Sequence, residues 1–276
     1  MNDLEAFVRL AEALAPWRGQ LVYVGGWAHR IHRLDSRANA PAHQAVFTKD
    51  TDLAFAAAEA IEGDIKAALE GSGFKEQLSG ESNPPVAHYT LGTEGEGFYA
   101  EFLTPLAGSG IKRDGKPDAT LAKAGITAQK IRHLDILLVD PWIVKLHPDN
   151  APLKTPMDIR VANPLAFMVQ KFLIQKQRTA KKRAQDILYI FDTVGLFGGQ
   201  MAAFQKMWKE VVGPSLGKYR DEVMKLNEAT FSKVTDDVRG AALIPQDRKL
   251  TAEEIQSTCQ LAFEQIFEGE EGLRHR

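Results

Sequence analysis

The sequence predicts an α/β protein with a small mixed sheet in its N-terminal part and a helical C-terminal part. Short apolar runs separated by glycines dominate the chain up to Val139, which is typical of strands joined by tight turns. Helix-capping signals and helical spacing of apolar residues dominate from Asn163 onward. The length of 276 residues exceeds the usual domain size of roughly 100 to 200 residues, so we predict two domains, 1–156 and 157–276.

Composition and charge are those of a globular protein. Hydrophobic residues make up 44% and charged residues 25% of the chain, and the net charge is -2, so binding of nucleic acid would need a local basic patch. Cys259 is the single cysteine, which excludes an intramolecular disulfide and a cysteine-based zinc cluster. The chain shows neither a basic and apolar leader nor an apolar run of membrane-spanning length, so we predict a cytoplasmic protein with no membrane partner.

The first predicted elements are a helix, a strand and a second helix. Apolar residues recur at helical spacing from Leu4 to Leu14, and this helix ends before Pro16. Leu21–Val24 has the composition of a short buried strand. Gly25-Gly26 then forms a turn that leads to a helix from Trp27 to Arg33.

Further strands complete the predicted sheet. We predict a strand over Val46–Phe55 and then a helix over Ala57–Glu70, which Gly71 closes. A strand pair joined by a glycine-rich turn follows over Ala87–Leu91 and Phe98–Leu103.

Beyond the sheet, the sequence predicts a surface excursion and then helices. The excursion covers residues 105–129. Asn163 precedes Pro164 as a capping residue, which predicts a helix with its first residue at Pro164. A second helix is predicted over Ala180–Val194, and Thr251 with Glu254 forms the capping box of a last one.

Asp50 and Asp52 lie two positions apart on a predicted strand, so both carboxylates project from one face of it. Magnesium prefers hard oxygen ligands and is commonly bound by one or two carboxylates together with substrate phosphates. Solvent-facing aspartates at the end of a strand give the same pattern. Taken alone, the motif fits both a metal site and a solvated strand end.

Gly25, Gly26 and Glu101 extend this pattern. Glycines between a strand and a helix let the backbone approach a triphosphate, and the N–H groups at the helix start attract anions, although a simple tight turn has the same glycines. Glu101 lies in an otherwise apolar strand, where a carboxylate is costly unless it is paired or bound to metal. We interpret Glu101 either as the third ligand of a two-metal site or as an exposed edge-strand residue.

A basic segment opens the helical part. Lys171 and Arg178 fall on one predicted helix face, and Lys182 and Asp186 form an i, i+4 pair on the next helix. The segment from Lys171 to Arg183 contains six basic residues and no acidic one. It suits triphosphate or RNA phosphates, and equally a solvated helix face.

Three motifs occur in an order that resembles the signature of the nucleotidyltransferase superfamily: Val24-Gly25-Gly26-Trp27-Ala28, then Thr48-Lys49-Asp50-Thr51-Asp52-Leu53, then Glu101-Phe102-Leu103. The helix at Asn163-Pro164 with Lys171 and Arg178, followed by Lys182 to Asp186, looks like the helical lobe of AbiEii-type toxins and related bacterial nucleotidyltransferases. The resemblance covers residues 20–195. It implies the nucleotidyltransferase fold, a mixed sheet followed by a helical C-terminal lobe.

The resemblance also implies roles for these residues. Asp50, Asp52 and Glu101 would bind two magnesium ions and catalyse nucleotidyl transfer. Gly25 and Gly26 would hold phosphate. Lys171 and Asp186 would complete the nucleotide pocket, to which we add Arg178 from the basic segment, and the triphosphate is expected between the two lobes.

We therefore predict an enzyme that transfers a nucleoside monophosphate from a nucleoside triphosphate to a hydroxyl acceptor. A toxin-like role would make RNA the acceptor and a cognate antitoxin a partner. One alternative is a protein hydroxyl or a small molecule, such as an aminoglycoside, as the acceptor. Another is a non-catalytic nucleotide-binding module, which metal-dependent release of pyrophosphate would distinguish from an enzyme.

Overall fold

The computed structural model describes residues 2–46, 48–80, 82, 84–92 and 97–268. Packing divides the chain into two compact units. The first comprises Met1–Leu34 and Phe47–Ala162, and the second comprises Asp35–Val46 and Asn163–Arg276. Because the first unit holds a mixed sheet and the second holds only helices among its regular elements in the described residues, the predicted fold class is confirmed.

The described part of the first unit forms a nine-stranded mixed sheet. Its hydrogen-bonded order is β3-β4-β5-β2-β1-β9-β8, and β7 pairs with both β5 and β6. The pairs β1 with β9, β2 with β5 and β5 with β7 are parallel. The strands are β1 Val22–Val24, β2 Asp50–Ala54, β3 Lys75–Ser79, β4 Val86–Leu91, β5 Phe98–Pro105, β6 Thr120–Lys123, β7 Ile126–Ile131, β8 Trp142–Leu146 and β9 Met157–Val161.

Helices α1 Asp3–Ala13, α2 Gly25–His32 and α3 Ile65–Gly71 accompany the sheet. The side chains of Asn2 and Glu5 cap each other's backbone N–H groups at the start of α1. The ring of Phe7 on α1 stacks on Trp27 of α2 with 4.5 Å between centroids. Trp27 meets Phe98 of β5 edge-on at 5.5 Å, so these three aromatic rings join α1, α2 and the sheet in one core.

The predicted helix over Ala57–Glu70 is wrong in its first half, because α3 begins only at Ile65. Gly63 has a φ of +84°, which a right-handed helix does not admit. The side chain of Asp64 accepts a hydrogen bond from the N–H of Ala67 and so caps α3. The indole N–H of Trp17 donates to the carbonyl of Glu62 at 2.6 Å, which holds the preceding segment in a non-helical path.

The sheet is larger than the sequence predicts. Residues 105–129, the predicted excursion, contribute β6 and part of β7, and β7 pairs with β5. β3 is mostly polar, and neither β8 nor β9 is predicted. The predicted strand over Val46–Phe55 is shorter, since β2 begins at Asp50. Residue 47 of that strand and residues 93–96 of the predicted glycine-rich turn lie outside the described residues.

The second unit consists of helices around an aromatic core. Phe172, Phe231 and Phe263 contact one another with ring centroids 5.2 to 6.2 Å apart. The predicted caps are confirmed, since Asn163 accepts from the N–H of Ala166 and Thr251 forms the capping box. The helices are α4 Pro164–Ile174, α5 Ala180–Leu196, α6 Met201–Met207, α7 Gly213–Leu216, α8 Arg220–Phe231, α9 Asp236–Ala242 and α10 Ala252–Ile266.

The compact units differ from the predicted domains 1–156 and 157–276. β9, which follows position 156, pairs with β1 and β8 and therefore belongs to the sheet. The segment 35–46 packs with the helical unit, where the N–H of Gln44 donates to Asp247 at 2.6 Å. Over the described ranges, no single helix is both long and apolar enough to cross a membrane, and one bent pair, Ala180–Leu196 with Gly198–Phe231, passes only when taken together.

Candidate functional site

Five residues on five neighbouring strands are register partners and form a row across the sheet. The four on β2, β5, β4 and β3 are polar. Val24 of β1 is the partner of Asp52 on β2, which in turn is the partner of Glu101 on β5. Glu101 is the partner of His88 on β4, and His88 is the partner of Gln77 on β3. Register partners project from the same face, and neighbouring strands lie about 4.8 Å apart. The Asp52 and Glu101 carboxylates are therefore neighbours on one face of the sheet.

Asp50 belongs to a second row, displaced by two residues along the strands. Its register partner is Tyr99, and the partner of Tyr99 on β4 is Thr90. Since side chains alternate along a strand, Asp50 projects from the same face as Asp52. The hydroxyl of Thr48 donates a hydrogen bond to Oδ1 of Asp50. The structure thus brings Asp50, Asp52 and Glu101 together on two parallel strands.

The carboxylates influence one another and the nearby phenol. Burial, followed by the negative charge of Asp50, raises the pKa of Glu101, while the charge of His88 acts in the opposite direction. Burial raises the pKa of Tyr99 to about 12, and the charges of Asp50, Glu101 and Asp52 add to this. The face therefore carries concentrated negative charge, and a cation bound there would be stabilised.

The donor set on this face is the one that magnesium prefers. Asp50, Asp52 and Glu101 supply hard carboxylate oxygens, and burial together with the charge of Asp50 raises the pKa of Glu101. Within the part of the chain that the structure describes, no three His, Cys, Asp or Glu side chains are gathered into a ready-made coordination group. The residues fit a magnesium ion by their chemistry and by their common face, and their role as ligands stays a prediction.

Gly25 adjoins Asp52 closely. It is the first residue of α2, two residues before the predicted helix start, and its φ is +62°. A β-carbon on Gly25 would overlap Oδ2 of Asp52 and lie 3.0 Å from its Cγ. Both the backbone angle and the lack of space therefore require glycine at this position.

The start of α2 is open to anions. Val24 is its N-cap residue, and none of the side chains in the described ranges forms a capping hydrogen bond there. The first N–H groups of a helix lack intrahelical partners and carry partial positive charge, so they attract phosphate. Gly26 is the second residue of this turn and is partly exposed. The start of α2 thus lies next to Asp52, and the phosphate-binding role of Gly25 and Gly26 stays a prediction.

In the helical unit, Lys171 and Asp186 form a buried ion pair. Nζ of Lys171 lies 2.8 Å from Oδ1 of Asp186, and the two side chains are 4% and 6% exposed. The rings of Phe167 and Tyr189 lie 4.9 and 5.0 Å from the same ammonium group. Lys171 is therefore buried, and the interpretation of the basic segment as a solvated helix face is wrong for this residue.

Arg178 also lies near the Asp186 carboxylate, but it is not on the helix face that the sequence predicts. α4 ends at Ile174, a 3₁₀ turn covers Gln175–Gln177, and Arg178 itself is extended, so it shares no helix with Lys171. Its Nε lies 3.2 Å from Oδ2 of Asp186 without the geometry of a hydrogen bond, and its side chain is 36% exposed. The partners of Asp186 are thus Lys171 and Arg178 rather than Lys182, which is exposed.

The sequence does not predict the cavity that lies beside Glu101. It has a volume of about 280 Å³ and lies on the face that carries Glu101 and Tyr99. His88 and Gln77 line it from strands β4 and β3. β3 lacks an apolar pattern, so only its pairing with β4 shows that Gln77 and Glu101 face the same space.

Comparison with known proteins shows the family of the chain. A family model described as Nucleotidyltransferase matches residues 2–213, which include every candidate site residue in both units. A search of curated proteins finds no significant match. The family match is longer than the predicted resemblance over residues 20–195 at both ends. It does not show membership of the narrower AbiEii-type group. Since it covers most of the 276 residues, the chain belongs to the nucleotidyltransferase family.

Proposed function

We propose that this nucleotidyltransferase moves a nucleoside monophosphate from a nucleoside triphosphate to a hydroxyl group of RNA, with magnesium as the cofactor. The observation that carries the proposal is the common face of Asp50, Asp52 and Glu101 beside the glycine turn. Family membership supports nucleotidyl transfer in general. The metal and the acceptor are our proposal.

Asp50, Asp52 and Glu101 are the residues that would hold magnesium. Bound magnesium neutralises charge on a triphosphate and lowers the pKa of a hydroxyl group, as it does in two-metal enzymes. The N–H groups at the start of α2 would bind phosphate oxygens, and Gly25 would let that backbone approach.

The proposed reaction forms one bond and breaks one. The acceptor oxygen bonds to the α-phosphorus, and the bond from the α-phosphorus to the bridging oxygen of pyrophosphate breaks. The hydroxyl proton passes to the carboxylate of Glu101, which adjoins Asp52 on the same face. Pyrophosphate leaves with the electrons of the broken bond.

RNA is proposed as the acceptor because the chain has a local basic segment despite a net charge of -2. Lys181 and Lys182 of that segment are exposed and available to phosphates. Lys171, Arg178 and Asp186 are proposed as nucleotide-binding residues, and the partial exposure of Arg178 supports this for Arg178. A toxin role, a cognate antitoxin and a cytoplasmic location stay predictions.

The test is transfer of label from each α-labelled nucleoside triphosphate, with magnesium, to total RNA or to total protein from cells. Label in RNA alone is the expected result. Label in protein or in a small molecule would show that this molecule, and not RNA, is the acceptor. Binding of triphosphate without any release of pyrophosphate would show a non-catalytic module and contradict the proposed reaction.

A further inference from the structure

The cavity beside Glu101 lies on the side of the carboxylates that is opposite to Gly25. In the sheet, β1 and the glycine turn adjoin β2, whereas β4 and β3 adjoin β5 on the other side. Asp52 and Glu101 therefore separate the phosphate-binding turn from the cavity. A group in the cavity would meet Glu101 without competing with phosphates at Gly25. The cavity is lined by Lys49, Gln77, His88, Thr90, Gly97, Tyr99 and Glu101.

The lining combines aromatic rings with hydrogen-bonding groups. The rings of His88 and Tyr99 lie 5.9 Å apart at 58°. A ring nitrogen of His88, Nε2, lies 3.1 Å from Oε1 of Gln77, which orients both side chains. Thr90 adds a hydroxyl, which donates to the carbonyl of Lys75 and can still accept a hydrogen bond, and Lys49 adds an ammonium group. Single-stranded RNA is recognised by this combination, in which bases stack on aromatic side chains and their edges form hydrogen bonds.

The volume limits what the cavity can hold. Ligand pockets usually measure about 300 to 1,000 Å³. At about 280 Å³ the cavity suits one ring-bearing unit rather than a long segment of polymer. A serine or threonine side chain would leave most of the space unfilled.

We propose that this cavity binds the terminal nucleoside of the RNA acceptor and presents its 3′-hydroxyl group to Glu101. The inference rests on the proposed function and adds the position and the recognition residues of the acceptor. Gln77, His88 and Thr90 then determine how well the RNA end binds, whereas the triphosphate binds elsewhere on the face.

The experiment compares Gln77→Ala and Thr90→Val with the wild type. Initial rates of label transfer to a short RNA with a free 3′-hydroxyl group are measured over a range of RNA and of triphosphate concentrations. Each variant should raise KM for RNA about tenfold, as expected for the loss of one or two hydrogen bonds, and leave KM for the triphosphate within about twofold. Leu78→Ala is the matched control, because Leu78 is exposed on the opposite face of β3.

A second measurement separates this proposal from the proposed function. Binding of the same RNA is titrated without triphosphate, so it does not require catalysis. A wild type that binds RNA but transfers no label would contradict the reaction alone, while unchanged RNA affinity in both variants would overturn the cavity assignment. A rise in KM for the triphosphate instead would place the donor in the cavity and would also overturn it. Thermal unfolding of each variant identifies one that fails to fold, and the other variant then decides.

Discussion

Gly25 and Asp52 lie so close together that a β-carbon on Gly25 would overlap a carboxylate oxygen of Asp52. The contact joins the first turn of α2 to the middle of β2, two elements adjacent to each other in the sheet region. It fixes an anion-attracting helix start beside a candidate metal ligand. A phosphate and a cation would therefore meet at this point.

Gly25→Ala should abolish nucleotidyl transfer because the added methyl group displaces the Asp52 carboxylate. It should also destabilise the protein beyond the cost of about 1 to 2 kcal/mol for a left-handed alanine. Gly115→Ala is the control, since Gly115 has a φ of +81° and open space around its Cα. Equal losses of activity in both variants, measured by pyrophosphate release, would contradict a specific role for the Gly25 contact.

Asp52→Asn should lower the rate of transfer by more than about a hundredfold, because a metal ligand that acts in the transition state contributes several kcal/mol. The amide keeps the size of the side chain, so the unfolding temperature should change little. Asp158→Asn on the exposed side of β9 removes a charge from the same sheet and should leave the rate unchanged. Wild-type turnover in Asp52→Asn would contradict the assignment.

Glu101→Gln should lower activity and raise stability in the metal-free protein. The pKa of Glu101 is raised above its ordinary value of 4.5, so the folded state holds the proton more firmly than the unfolded state does. Stability from this group is greatest below pH 4.5 and declines as the pH rises through the folded pKa. The variant should therefore unfold at a higher temperature than the wild type at pH 8 and at the same temperature near pH 4. An unchanged magnesium dependence of transfer would make Glu101 structural.

Lys171→Ala should destabilise the helical unit by about 3 to 5 kcal/mol, since it leaves the Asp186 carboxylate buried without its closest partner. Adding Asp186→Leu to the same chain should recover much of the loss, because no charge is then left uncompensated. Lys176→Ala is the control on an exposed lysine and should change the free energy of unfolding by less than about 0.5 kcal/mol. Urea titration gives all of these values, and a small effect of Lys171→Ala would contradict the buried pair.

Arg178→Ala tests the proposed triphosphate contact without breaking the Lys171–Asp186 pair. Its side chain is partly exposed and Lys171 remains to pair with Asp186, so stability should fall less than in Lys171→Ala while the affinity for a triphosphate falls about tenfold, as for loss of a charged hydrogen bond. Lys181→Ala, an exposed change in the same basic segment, is the control. Equal dissociation constants for the wild type and Arg178→Ala, measured by calorimetry, would remove Arg178 from the site.

The sequence was sufficient where local chemistry decides the structure. The caps at Asn163 and Thr251, the short strand before Gly25 and the alternation that places Asp50 and Asp52 on one face depend on residues close together in the chain. Asp52 and Glu101 are adjacent because β2 pairs with β5, although the two residues are almost 50 positions apart in the chain. The sequence motifs indicate this pairing only through the resemblance to a known family.

Features set by tertiary packing could not be predicted. β3 is a strand because β4 pairs with it, although its polar sequence lacks the alternation that identifies strands. Gln77 and His88 are part of the site only through that pairing. Lys171 and Asp186 are buried because aromatic residues surround them, whereas the basic composition of the segment equally fitted an exposed face.

We propose that the face of Asp50, Asp52 and Glu101 binds a nucleoside triphosphate together with magnesium. Calorimetric titration of the wild type and of Asp52→Asn with a non-hydrolysable triphosphate, with and without magnesium, measures this binding. The wild type should bind at least about tenfold more tightly with magnesium, and Asp52→Asn should lose this difference. The same affinity with and without magnesium in the wild type, or an undiminished magnesium effect in Asp52→Asn, would contradict the claim.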